Sequence, residues 1–387
     1  MYRIGKEEIA ELTRVIEARD LFRINKGLQE SKQVETKLRQ LFGCQYPIFM
    51  TSGHAALTSA LVAMGIGPGD QVIVPAYTYI ATAMAVVAAG AIPVIAEIDD
   101  TLTISPEDIR RKITKHTKAI LPVHIQGFPC NMAAIMEIAG EHALLVLEDA
   151  CQADGGSYRG KRLGTIGDAG ALSFNYYKIV SSGEGGALLT DNREIFERAL
   201  IYQDSSAVAF FGDQMQGFTA EGFCGNEYRS NELCAAVLNV QLSRLDGILA
   251  DLRKNKSYMM ERLSDFCRFI PSNDPAGDCG TTLALQFESE EVARRVATAD
   301  LRGTLPIDTG KHVYSHWTPI LEKRGAFHPL MDPFKMEANK DILPDYHRDM
   351  CPETLDKLSK VVYFNVNPND TQQELDTKIQ RIRNALK

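Results

Sequence analysis

The chain has 387 residues, 45% hydrophobic and 24% charged, with 42 basic against 50 acidic side chains and a formal net charge of −8. That length exceeds a single core and suits two domains. The mild acidity gives no reason to expect nucleic acid as a partner, and apolar runs such as 81–96 are broken by glycine and proline, so no membrane span is expected.

The opening MYRIGKEEIAELTRVIEARD is amphipathic and charged, unlike an export signal. The eight cysteines are scattered and none forms a CxxC pair. Scattered thiols point to a reducing cytoplasm and away from a metal site.

Residues 7–18 predict a short helix, 20–27 (DLFRINKG) an extended arm, 33–42 a helix and 47–50 a strand. TSGHAALTSALVAMGIGPGD then opens on small residues and continues as an apolar-periodic helix. QVIVPAY is a strand, 81–89 a helix, AIPVIAEID a strand, and 105–113 a helix opened by Ser-Pro. KAILPV (118–123) is a strand, 131–139 a helix and 143–148 a strand. Short, continuous apolar strands alternating with helices predict an α/β fold with a mostly parallel sheet covered on both faces. Segments 169–174 and 186–190 add two strands around a glycine-rich turn. Residues 232–245 have a strong helical period, and 251–266 predict a long helix bridging to a second unit. Beyond about residue 250 the βα rhythm loosens, as in a smaller α+β domain. The expected division is a large domain over 1–248, including the arm, and a small one over 249–387.

Several residues could carry chemistry. ALLVLED is a buried strand ending in Glu148 and Asp149. Alternation sends their side chains to opposite faces, so one of the two faces any site at the strand's carboxyl end. Lys178 follows an apolar strand and precedes the turn SSGEGG. A lysine so placed can condense with a carbonyl once desolvated; taken alone, it reads equally well as a surface lysine. Ser52, Gly53, His54 and Ala55 precede a helix, where free N–H groups favour a phosphate or simply a cap. Tyr79 at a strand end could stack on a flat ring or lie in the core.

In combination these motifs resemble the DegT/DnrJ/EryC1/StrS family of sugar and aminocyclitol aminotransferases, from about residue 30 to 245. The resemblance implies the aspartate-aminotransferase-like fold (fold type I) and the cofactor pyridoxal 5′-phosphate. EDACQADGG matches the family's EDAAQAHG, which implies Asp149 at the ring nitrogen and Gln152 near the ring hydroxyl. The SF…K…GEGG pattern implies Ser173 as a phosphate contact and Lys178 as the Schiff-base lysine. The turn Ser52–Ala55 corresponds to the phosphate-binding turn, with His54 where the family usually has threonine or serine, and Tyr79 to the ring-stacking aromatic. GNEYRSNELCAA implies that Asn226 reaches the cofactor phosphate of the neighbouring subunit, hence a homodimer with shared active sites, and that Arg229 binds substrate or braces its loop. His124, Tyr314, His316 and, on the arm, Arg23 are further candidates for substrate contact, with ordinary packing as the alternative.

The implied reaction moves an amino group from glutamate or glutamine to a keto sugar, cyclitol or related keto compound. GEGGA together with VHIQG looks closer to family members acting on cyclitol ketones, aminohydroxybenzoate precursors or keto-octulosonates than to those acting on nucleotide-linked 4-keto sugars. The alternative is a non-transaminating enzyme of the same cofactor: an eliminase, dehydratase or aromatising synthase. The family's dehydratases carry histidine in place of the lysine, so Lys178 argues against that variant.

Overall fold

The computed structural model describes residues 3–205, 217–299 and 303–386. Helices α1 (Lys6–Ala18) and α2 (Glu30–Phe42) precede β1 (Tyr46–Met50) and α3 (Gly53–Ala63). Then follow β2 (Gln71–Pro75), α4 (Ala81–Ala88), β3 (Ile92–Ala96), α5 (Pro106–Lys112), β4 (Thr117–Ile120), α6 (Met132–His142) and β5 (Leu145–Asp149). A small hairpin, β6 (Ser157–Tyr158) with β7 (Lys161–Arg162), leads to β8 (Ala169–Ser173), β9 (Gly186–Thr190) and α7 (Arg193–Gln203).

Seven strands form one sheet in the order β1-β9-β8-β5-β4-β2-β3. Pairs from β8 to β3 are parallel, and β9 runs antiparallel to both neighbours. Strands such as β2 (QVIVP) and β3 (IPVIA) are buried at every position, because helices cover both faces of a parallel sheet. The carboxyl ends of β1, β2, β4, β5 and β8 therefore meet along one edge, and loops crossing that edge build the site.

The predicted helices 232–245 and 251–266 are one continuous helix, α8 (Glu232–Leu263). Leu245, Ile248, Leu249 and Leu252 are all buried and carry the apolar period straight through Gly247. One stretch of α8 is apolar and long enough to cross a bilayer, yet the helix packs against α1 and α2 as an interior element. The expected strand 118–123 stops at Ile120, before Pro122, which has no N–H to give to a ladder. After α8, β10 (Arg268–Phe269), β11 (Thr282–Gln286) and β12 (Val361–Asn365) form a three-stranded antiparallel sheet. One apolar core joins the two sheets, running from Phe49 and Leu172 through Leu252 and Met259 to Leu283 and Val362.

Candidate active site

At the carboxyl edge of the main sheet lies a cleft of about 830 Å³. Its floor is the end of β5. Asp149 is 5% exposed and faces the cleft. Thr82 Oγ1 donates to its Oδ2 at 2.8 Å, and Cys151 N–H donates to Oδ1 at 3.1 Å. Thr78 and Thr82 are linked through their hydroxyls at 2.8 Å. A buried carboxylate so held keeps one orientation.

Glu148 turns to the opposite face, as alternation requires. Its carboxylate accepts from the N–H groups of Gly164 (2.9 Å), Ile166 (2.5 Å) and Gly167 (2.8 Å) and lies 3.0 Å from His124 Nε2. Cys130 N–H lies 3.1 Å from His124 Nδ1, so both ring nitrogens of this buried histidine are engaged. The pair braces the loop behind the sheet.

Lys178 is half-buried and lines the cleft. Its loop folds back through Phe174 N to Gly185 O, Tyr176 N to Gly183 O and Ser182 N to Phe174 O. Gly183, at φ +85°, supplies a turn that side chains rarely adopt. Among the described residues Lys178 Nζ makes no hydrogen bond or ion pair, so the amine is available to a ligand. Ser173 ends β8 on the same wall.

Across from the lysine, α3 begins. Ser52 is its N-cap, and Ser52 Oγ accepts from Ala55 N at 3.0 Å. The N–H groups of Gly53 and His54 have no intrahelical acceptor, and both residues line the cleft. A Cβ on Gly53 would lie 2.6 Å from Cys151 Sγ, so this approach requires glycine. His54 Nδ1 lies 3.3 Å from Ala81 O, and burial pushes its pKa down. Behind Ser173, burial pushes the carboxyl of Asp154 well above the usual range, which favours its neutral form.

On the outer wall Tyr79 is 40% exposed and its ring centre lies 5.5 Å from that of His312. Gln152 Oε1 accepts from Gln126 N at 3.1 Å. Lys311, His312, Thr281 and Thr282 close the cleft from the segment that carries the second sheet.

Of the sequence candidates, Gly53, His54, Tyr79, Asp149, Gln152, Ser173 and Lys178 share this cleft. Ala55 is buried beneath it, its N–H taken by Ser52. Six candidates lie elsewhere. His124 is fully buried against Glu148, so the expected substrate contact gives way to a structural pair. Tyr314 is also fully buried, and its hydroxyl accepts from Cys351 N at 2.9 Å. His316 is exposed outside the cleft lining. Arg23 pairs with Glu35 at 2.6 Å and donates to Phe49 O at 2.5 Å. Arg229 pairs with Asp204 at 2.8 Å and Glu227 at 2.7 Å. Asn226 is exposed, lies outside its own chain's cleft lining, and donates to Tyr202 OH at 2.7 Å.

Sequence reasoning missed Thr82, Lys311 and His312. Thr82 lies in the turn that opens α4, its N–H donating to Tyr79 O at 3.1 Å, and both residues line the cleft. Lys311 and His312 open the stretch KHVYSHW, of which the wrong members were singled out.

Burial and the charge of Lys311 push His312 down to about 4, from an ordinary 6.5. As pH falls below about 6.5 the unfolded chain takes up this proton first, so the folded state loses stability down to about pH 4. His312→Gln is therefore expected to flatten part of the fall in Tm between those pH values. Identical slopes for variant and parent would refute it.

The residues fit pyridoxal phosphate. A free lysine amine, an oriented carboxylate and an open helix N-terminus surround one cleft on a fold of this type, and they define a pyridoxal-phosphate-dependent enzyme of fold type I. The chain belongs to the DegT/DnrJ/EryC1/StrS aminotransferase family, whose model matches residues 2–358. It is 32% identical over 378 residues to the spore coat polysaccharide biosynthesis protein SpsC of Bacillus subtilis, covering 93% of this chain and 95% of that protein. It is 36% identical over 219 residues to GDP-perosamine synthase of Vibrio cholerae, covering 56% of this chain and 57% of that one. In three dimensions it matches the aminotransferase from Psychrobacter cryohalolentis with a TM-score of 0.81 and 25% identity, covering 99% and 98% of the two chains.

Proposed function

We propose that this aminotransferase takes its amino group from glutamate or glutamine and delivers it to a keto sugar, cyclitol or related keto compound, working as a cytoplasmic homodimer with shared active sites. The observation that carries the reading is the convergence of Lys178 and Asp149 on one cleft. Asp149 would accept from the cofactor's ring nitrogen, Gln152 would lie near its hydroxyl, and Tyr79 would flank the ring. Ser173 and the start of α3 would hold its phosphate, and Lys178 its aldehyde carbon. Bound there, pyridoxal phosphate supplies an electron-poor ring that accepts the electron pair left when the substrate's Cα–H bond breaks. Asp149, fixed by Thr82 and Cys151, would present its carboxylate to that ring. Lys178 Nζ would be the base that carries the substrate's Cα proton. The helix terminus and Ser173 orient the whole assembly, so the reacting bond is positioned rather than free.

The exposure of Asn226, outside its own cleft, supports a role in a neighbouring subunit's site. Exposed Phe22, Tyr176 and Tyr177 supply apolar surface for such a contact. In a mixed dimer of Lys178→Ala and Asn226→Ala subunits, one site regains both residues, and activity should return to a measurable fraction of the parent's. Absence of any recovery would refute shared sites. Conversion of glutamate to 2-oxoglutarate, with the cofactor passing to its pyridoxamine form, tests the donor.

A further inference from the structure

A transaminase that uses an amino acid must bind a carboxylate beside the reacting amine. Arginine is the usual bidentate partner, yet among the described residues no arginine lines this cleft. Arg23 and Arg229 are both neutralised in ion pairs outside it. Besides Lys178, the cation in the lining is Lys311.

Lys311 is held in place by its backbone. Its carbonyl accepts from Ile80 N at 2.9 Å and from Trp317 Nε1 at 3.0 Å. Next to it, His312 O accepts from Thr78 N at 2.9 Å, and Tyr314 N donates to Ala76 O at 2.9 Å. The fully buried Trp317 and Tyr314 thus fix which residues of this stretch face the cleft. Lys311 Nζ stands 5.1 Å from the centre of the Tyr79 ring and makes no ion pair among the described residues. Neither acid of the lining neutralises it. Asp149 is engaged by Thr82 and Cys151, and Glu184 accepts from Asn175 Nδ2 at 3.0 Å. The neighbouring His312 is neutral near pH 7, so the positive charge of this wall is that of Lys311 alone.

We infer that Lys311 is the carboxylate-recognising residue of the cleft and selects substrates that carry a carboxylate beside the amine or ketone: the amino-acid donor and its 2-keto-acid product. The inference rests on the transamination reading for its choice of ligand. It predicts that Lys311, poised over Tyr79, is the specificity element on the donor side.

The test uses the holoenzyme and glutarate, an unreactive dicarboxylate, titrated by calorimetry. Lys311→Met keeps the apolar stem and removes the charge. Its glutarate Kd should rise about tenfold, equivalent to about 1.4 kcal/mol. Lys311→Arg, which keeps the charge, should stay within about threefold of the parent, because the Coulombic attraction survives. The apparent constant for glutamate in the donor half-reaction should rise in parallel in the methionine variant. Glutarate binding equally well to parent and Lys311→Met overturns the assignment. Glutarate binding does not depend on turnover. If no donor converts the parent's cofactor while glutarate affinity still falls in Lys311→Met, the transamination reading fails and the carboxylate assignment stands.

Discussion

Lys178→Ala is expected to abolish transamination, lowering the rate of the donor half-reaction by about 10⁴-fold, the upper range for removal of a positioned acid–base group. The reason is geometric. Lys178 is the half-buried amine that lines the cleft without a hydrogen bond or ion pair among the described residues, and no other lysine in the lining lies on its wall. Borohydride treatment of the parent holoenzyme should attach the cofactor to the peptide containing residue 178, and that mass should be missing from the variant. An added small primary amine should restore part of the rate by replacing the lost base. A cofactor mass found on Lys311 or any other lysine of the variant would show that the wrong residue had been chosen.

The second large effect is expected at Asp149. Asn is nearly isosteric, and Thr82 and Cys151 can still hydrogen-bond an amide in this position. The substitution therefore removes charge while preserving shape. With no carboxylate to keep the ring nitrogen protonated, Asp149→Asn should slow the half-reaction by about 10²–10³-fold, the scale of removing one preorganised electrostatic stabiliser. The variant should also lose cofactor faster on dialysis. Folding should be retained, since Glu148 rather than Asp149 braces the loop at 164–167. A half-reaction rate within tenfold of the parent's would remove Asp149 from the proposed chemistry.

The contrast between these two adjacent acids shows what can be read from a strand. Alternation alone separated Glu148 from Asp149, and the structure assigns the cleft to Asp149. The same kind of reasoning failed for His124. It follows β4 outside regular structure, where no period fixes a side chain's direction, and the loop turns it inward onto Glu148. Thr82, which orients Asp149, was invisible for a different reason. The two lie 67 positions apart in sequence, and only the neighbouring placement of β2, β4 and β5 in the sheet brings their loops together.

Lys178, Asp149, Gln152 and Ser173 were singled out through the resemblance of their motifs to the family's, since locally Lys178 reads equally well as a surface lysine; the structure places all four on one cleft. The α/β class was legible because fully buried strands carry unbroken apolar runs between helices. These are local properties, and the sequence by itself determined them: the strands, the glycine turns, the helix start at Ser52, and that Glu148 and Asp149 point to opposite faces. Tertiary structure alone decided which distant groups meet. It consumed Arg23 and Arg229 in ion pairs, buried Tyr314 and Trp317 as anchors, and left Lys311 over Tyr79. The physical reason is that a side chain's charge and shape are local, whereas its partners, its burial and therefore its availability are set by other segments of the folded chain.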